Sequence, residues 1–227
     1  MKANLIYVKG HPDSVQQAYL AKDSFSRYEW DVDLVEGITP DTLNEDDFPY
    51  DNLDRGRFSD FYRENKRKYL VKKSCLFNNL KFAQRVVDAD VPMIFLEHDT
   101  FAIDSCPDLD FDEYCFLSYQ YAFQPPGALA KYPYNRYKLN GVVGVNDFPS
   151  DYPVVYYHKS VYNGAIQTPG TAAYALSPKG AKKLLGAAKK GLEQSDYIIN
   201  SYNLRLQYIW PSPVKYQKEN LNLSHKL

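Results

Sequence analysis

Val91-Pro92-Met93-Ile94-Phe95-Leu96 is the most compact apolar run of the chain, opened by a proline and closed by Glu97-His98-Asp99. A run of that length, bounded in that way, reads as a short strand buried on both faces. Acids at the end of such a strand face a crevice. Side chains at i and i+2 of an extended backbone point the same way, so Glu97 and Asp99 are expected to converge on one cation while His98 points oppositely. An acidic strand end is more often just a solvated turn, and spacing alone does not separate the two readings.

Upstream, Leu5-Ile6-Tyr7-Val8 reads as a first buried strand stopped by Lys9-Gly10-His11-Pro12. Asp13 or Ser14 is expected to cap the helix that follows, whose inner face is read from Val15, Ala18, Tyr19 and Phe25. Trp30 to Val35 alternates as a second strand, and Glu36-Gly37-Ile38-Thr39-Pro40 turns the chain. A right-handed βαβ crossover makes these two strands parallel, and ligands in such sheets bind at the carboxyl ends of the strands. Lys9, His11, Ser14, Glu36, Gly37, Ile38 and Thr39 are therefore candidate ligand-binding residues on the same edge as Glu97 and Asp99.

Residues 41–60 are polar and acidic without a clean period, and Asp60 to Lys73 is basic and helix-compatible. Cys75, Leu76, Asn79, Leu80, Ala83 and Val87 mark an amphipathic helix leading into the apolar run. Further strands are expected at Tyr114 to Ser118 and Thr171 to Leu176, and Ser177-Pro178 starts a helix with Ala181, Leu184, Leu185 and Ala188 inside and Gly191 at its end. Strand and helix in alternation predict an α/β three-layer sandwich with a mainly parallel sheet, formed as one domain over residues 1–210 with a polar tail over 211–227. Between Tyr119 and Tyr162 runs a stretch rich in Pro, Gly and Tyr, interleaved with Lys131, Arg136, Lys138 and Lys159. It is read as an acceptor or lid loop, able to stack on sugars or bases, or as a loop anchored by its own rings.

With 227 residues, 44% of them hydrophobic, the chain can bury a real core. A formal net charge of -1 argues against a histone-like nucleic-acid binder. The charge is nonetheless segregated, with six bases against one acid between Arg63 and Lys73, which fits either a solvated helix face or a patch for phosphates. Three cysteines without CxxC spacing, and no leader-like or membrane-spanning apolar stretch, are read as a cytoplasmic protein without disulfides. GxGxxG, GxxxxGK[ST], GxSxG and HExxH are all missing, which removes the common dinucleotide, phosphate-loop, hydrolase and zincin readings.

Three pieces in this order resemble family 25 glycosyltransferases, the lipopolysaccharide-type galactosyltransferases and their collagen-type relatives. The Trp30 to Pro40 strand and turn is similar to the family's opening. The helix and strand ending in Glu97-His98-Asp99 is similar to its acidic "lEDD" strand end, and Gly170 to Leu185 to its "GTxgYxiSxkgAkkLl" segment, followed by a "pvD" matched at Gln194-Ser195-Asp196. The family has Asp where His98 stands, a Ser-His pair where Asn78-Asn79 stands, and Asp-Arg where the chain has His11-Pro12-Asp13-Ser14.

The resemblance implies a GT-A-type transferase using a nucleotide-sugar donor, a UDP-sugar by expectation. It implies Mn²⁺ or Mg²⁺ held by Glu97 and Asp99 with His98 as a further ligand, Gly170 and Thr171 among the donor-binding residues, and Asp196 as catalytic base. The opening also resembles transferases of tailed phages, some of which modify hydroxymethylated bases in phage DNA. That makes 5-hydroxymethylcytosine in double-stranded DNA the expected acceptor, with a cell-surface or lipopolysaccharide saccharide as the alternative. A non-catalytic nucleic-acid-binding module on the same fold is the reading from another class.

Overall fold

The computed structural model describes residues 1–47, 58, 63–118, 139–152, 154, 160–168 and 170–216. Much of the Tyr-rich stretch, including Lys131, Arg136, Lys138 and Lys159, lies outside the described residues, as do most of the acidic segment after Asp47 and the chain beyond Tyr216.

The first strand, β1 (Ala3–Tyr7), leads into α1 (Pro12–Arg27), then β2 (Val32–Glu36). The long helix α2 (Lys66–Ala89) precedes β3 (Met93–Glu97), β4 (Thr100–Ala102) and β5 (Tyr114–Phe116). After β6 (Gly144–Asp147) and β7 (Ala173–Leu176) come α3 (Pro178–Lys189), the short α4 (Ser195–Ile198), β8 (Leu206–Trp210) and β9 (Val214–Tyr216). Seven strands form one sheet in the order β2-β1-β3-β7-β5-β8-β6, and β4 pairs with β9 apart from it. β2, β1, β3, β5 and β8 run one way, with β7 and β6 opposed.

Strand alternation sorts the core into two layers. Phe95, Tyr114, Phe116 and Tyr174 point toward α2 and α3, whereas Ile94, Leu96, Cys115, Ala173 and Ala175 point toward α1. Phe95 and Tyr114 stack on either side of Tyr174, with ring centroids 5.1 and 4.9 Å away. The protein is thus the expected α/β sandwich. Cys75, Cys106 and Cys115 are free thiols. No described helix is long and apolar enough to cross a membrane.

Several local expectations are corrected. The cap of α1 is His11, whose Nδ1 accepts the Ser14 N–H at 3.4 Å, rather than Asp13 or Ser14. Pro12, with no N–H to satisfy, takes the first helical position, and the buried face becomes Ser14, Ala18, Ala21 and Phe25. Tyr19 is left 58% exposed. The basic segment from Lys66 and the amphipathic helix after it are one 24-residue helix, capped by the Asn65 side chain on Lys68 N–H. Lys73, read as part of a basic face or patch, is buried, with Nζ donating to the Tyr69 hydroxyl at 2.8 Å. The expected tail begins with structure, because β9 closes a two-stranded sheet and buries Val214 in the α1-side core. Strands β4, β6 and β8 were not read from the sequence; they are short or embedded in polar and aromatic segments.

Candidate functional site

Parallel pairing levels the ends of the first three strands, with Tyr7 beside Glu36 and Ile6 beside Glu97. A cavity of about 820 Å³ opens at this edge, between the loops after β1 and β2, the first half of α2, and the end of β3. Lys9, His11, Gly37, Ile38 and Thr39 line it, together with Glu97 and His98.

The β2 loop is held in place by its own backbone. Gly37 N–H donates to Tyr7 C=O at 2.8 Å, and a Cβ at Gly37 would meet Ile6 Cγ2 at 2.8 Å, so only glycine permits this approach. Asn78 reaches from α2 to take both polar groups of Ile38. Its Oδ1 accepts the Ile38 N–H at 2.7 Å, and its Nδ2 donates to the Ile38 carbonyl at 3.0 Å. Thr39 N–H donates to Thr42 Oγ1 at 2.9 Å. The next residue of α2, Asn79, also lines the cavity and accepts the Tyr174 hydroxyl at 2.7 Å.

Other expected residues stand behind the wall. Ser14 is buried, its hydroxyl accepting the Val8 N–H at 2.8 Å, so it shapes the β1 loop. Glu36 pairs with Lys9 at 3.2 Å on the surface. Gly170 and Thr171 do not line the cavity, but they precede β7, whose neighbour Ala172 accepts the Glu97 N–H at 2.8 Å. They share the sheet edge without facing the void.

His98 and Asp99 form a turn between β3 and β4, so the extended i, i+2 geometry expected of the acidic triplet stops at Glu97. His98, expected to point away, lines the cavity beside Glu97, while Asp99 is buried and does not. Burial pushes Glu97 up to about 8, reinforced by the negative charges of Asp99 and Asp196, with Lys72 opposing. Burial likewise raises Asp99 to about 6. Its Oδ1 has no hydrogen-bond partner among the described residues. His98 is lowered to about 4 by burial and by the neighbouring His11 charge, a hydrogen bond to the Ile6 backbone only partly opposing, and its Nε2 is also without a partner. The imidazole is therefore neutral at ordinary pH, with a buried nitrogen unused. Cys75 lines the cavity as a thiol, since burial pushes it up to about 11.

Asp196, in the first turn of α4, raises Glu97, Cys75 and Tyr114 by its charge, which puts it in the neighbourhood of Glu97 although it lies 99 residues later in the chain. Among the described residues no three His, Cys, Asp or Glu side chains enclose a metal site by themselves. The donor chemistry nevertheless fits a hard divalent cation. Two desolvated carboxylates with an orphaned oxygen are relieved by a positive charge, and such cations are commonly held by one or two carboxylates, with water and phosphate completing the shell.

Asn78 and Asn79 are cavity residues not expected from the sequence to bind ligand, and Lys66 and Arg67, expected on a solvated face or a phosphate patch, line the cavity too. Their signal is the helical stripe Arg67, Val71, Cys75, Asn79, which has an i, i+4 spacing and becomes legible once the helix is known to start at Lys66. No protein-family model matches the chain, and no curated protein matches it significantly.

Proposed function

We propose that the protein is a GT-A-type glycosyltransferase that takes a nucleotide sugar into the cavity at the ends of β1, β2 and β3 and transfers the sugar to a hydroxyl. The observation that carries this reading is the meeting of a roughly nucleotide-sized cavity with Glu97 on its wall and Asp196 within reach of Glu97's charge. Glu97, with Asp99 behind it and His98 beside it, would hold Mn²⁺ or Mg²⁺ next to the donor diphosphate. The cation would supply charge neutralisation for the departing nucleoside diphosphate.

The chain's own groups do the rest. The β1 and β2 loops seat the donor, and burial under α2 keeps water from the reacting carbon. Asp196 accepts the proton of the acceptor hydroxyl as that oxygen attacks the anomeric carbon and the sugar–phosphate bond breaks.

The acceptor hydroxyl is assigned first to 5-hydroxymethylcytosine in DNA and second to a saccharide. Support for the DNA arm comes from Arg63, Lys66, Arg67 and Lys68, which are exposed, whereas Lys73 is buried and Lys66 and Arg67 also line the donor cavity. The test incubates the protein with a panel of nucleotide sugars and Mn²⁺, offering hydroxymethylcytosine DNA and lipopolysaccharide-type oligosaccharides in parallel. Sugar on the DNA or on the saccharide decides the acceptor. Neither transfer nor metal-dependent donor hydrolysis with any nucleotide sugar would sink the reading and leave a binding module.

A further inference from the structure

The β2 loop forms one wall of the cavity, and the backbone N–H groups of Gly37, Ile38 and Thr39 are each already engaged. Gly37 N–H bonds to Tyr7, Ile38 N–H to Asn78 and Thr39 N–H to Thr42. The first of these continues the β1–β2 ladder and the last closes a turn within the loop. The middle one alone ties the loop to another layer, through a side chain 40 residues away in sequence, and Asn78 grips the Ile38 carbonyl as well.

Both amide atoms of Asn78 are therefore committed to the backbone of one residue, in donor and acceptor roles that no other side chain of that size supplies. The clamp also bears on Gly37. A Cβ there would lie 3.4 Å from Asn78 Oδ1, so the amide packs over the position where the loop passes closest to β1. Asn78 itself lines the cavity, between the loop it holds and Asn79, which the Tyr174 hydroxyl anchors from the sheet.

We infer that Asn78 is a positioning residue for ligand binding. It fixes Gly37-Ile38-Thr39 in the shape that lines the cavity, so that the loop is ordered before the ligand arrives. A preformed wall lowers the ordering cost of binding, whereas a loop released from the clamp must be ordered by the ligand itself. The clamp also keeps the Ile38 N–H from the ligand. With these three N–H groups engaged, Gly37-Ile38-Thr39 offers no backbone donor to a phosphate. This inference rests on the donor reading of the cavity.

The experiment pairs calorimetric titration of the full chain with UDP, ADP, GDP and CDP against amide hydrogen exchange at Ile38. It compares wild type with Asn78→Ala and Asn78→Leu, and uses Lys81→Ala, an exposed change on the same helix away from the cavity, as control. Each clamp variant is expected to lose exchange protection at Ile38 and to weaken the preferred nucleotide about tenfold, the scale of one hydrogen bond to a well-ordered partner. Mn²⁺ affinity in the absence of nucleotide should stay as in wild type.

If Asn78→Ala does not fold, Asn78→Leu, which keeps the branched shape but neither hydrogen-bonding atom, carries the same expectation. Lost protection with unchanged nucleotide affinity would overturn the positioning role and leave Asn78 a structural brace. Retained protection would overturn the clamp. Wild-type protein that binds no nucleoside diphosphate would overturn the donor reading and this inference with it, whereas failure confined to the variants touches the inference alone.

Discussion

Burial on the cavity wall holds Glu97 in its neutral form at ordinary pH. The folded chain keeps its proton up to about pH 8, whereas the ordinary carboxyl value is 4.5. Between those values the folded state binds more protons than the unfolded one, so stability falls as pH rises through that window. Glu97→Gln removes the buried charge, and its melting temperature at pH 8 is expected to exceed that of wild type by about 2–4 °C per kcal/mol relieved, a gain that vanishes near pH 4.5. The same change should abolish Mn²⁺-dependent donor turnover. A thermal-shift series over pH and an activity assay check the two halves, and equal melting temperatures at pH 8 would contradict the burial argument. Because the cation competes with that proton, Mn²⁺ should stabilise wild type more at pH 8.5 than at pH 6. A second residue-scale outcome concerns Gly37. Alanine there forces its Cβ against Ile6, and an overpacking cost of about 1–3 kcal/mol is expected in chemical denaturation, together with weaker nucleotide binding.

Element boundaries show where local patterns were enough and where they were not. The apolar run ending in Glu97, the Ser177-Pro178 helix start and the inner face of α3 were all legible, because period and capping residues agree there. The cap of α1 lies two to three residues before the expected one, because residue type favours Asp13 or Ser14 whereas the His11 ring takes the Ser14 N–H. Strand β9 was invisible. Among the described residues, Val214-Lys215-Tyr216 pair only with β4, and that partner is more than a hundred positions away. The pairing matters to the fold, because Val214 is fully buried beneath α1. Val214→Asp is therefore expected to cost roughly 3 kcal/mol or more, read as a lowered urea midpoint, since it places an unpaired charge in an apolar layer. A midpoint within error of wild type would show β9 to be peripheral.

Across the whole molecule, the cavity joins the β1 and β2 loops, α2 and the end of β3, so a bound nucleotide should brace several elements at once. At a nucleoside diphosphate concentration of a hundred times Kd, about 2.7 kcal/mol of added stability is expected, seen as a rise of several degrees in melting temperature. Asp196→Asn should keep that shift while lowering transfer by about 10²-fold or more, separating the proton acceptor from the donor wall. The sequence by itself determined the alternation of strand and helix, the buried strand that delivers Glu97 to a sheet edge, and the two glycine-bearing loops on that same edge, because these follow from periods of two and 3.6 residues and from the handedness of a βαβ crossover. Only the tertiary structure decided which side chains meet. It turned His98 into the cavity and Asp99 behind it, brought Asp196 near Glu97, and placed Asn78 on Ile38. Those outcomes depend on a tight turn after Glu97, on how far α2 extends over the strand ends, and on packing between residues 40 to 99 positions apart, none of which leaves a local pattern in the chain.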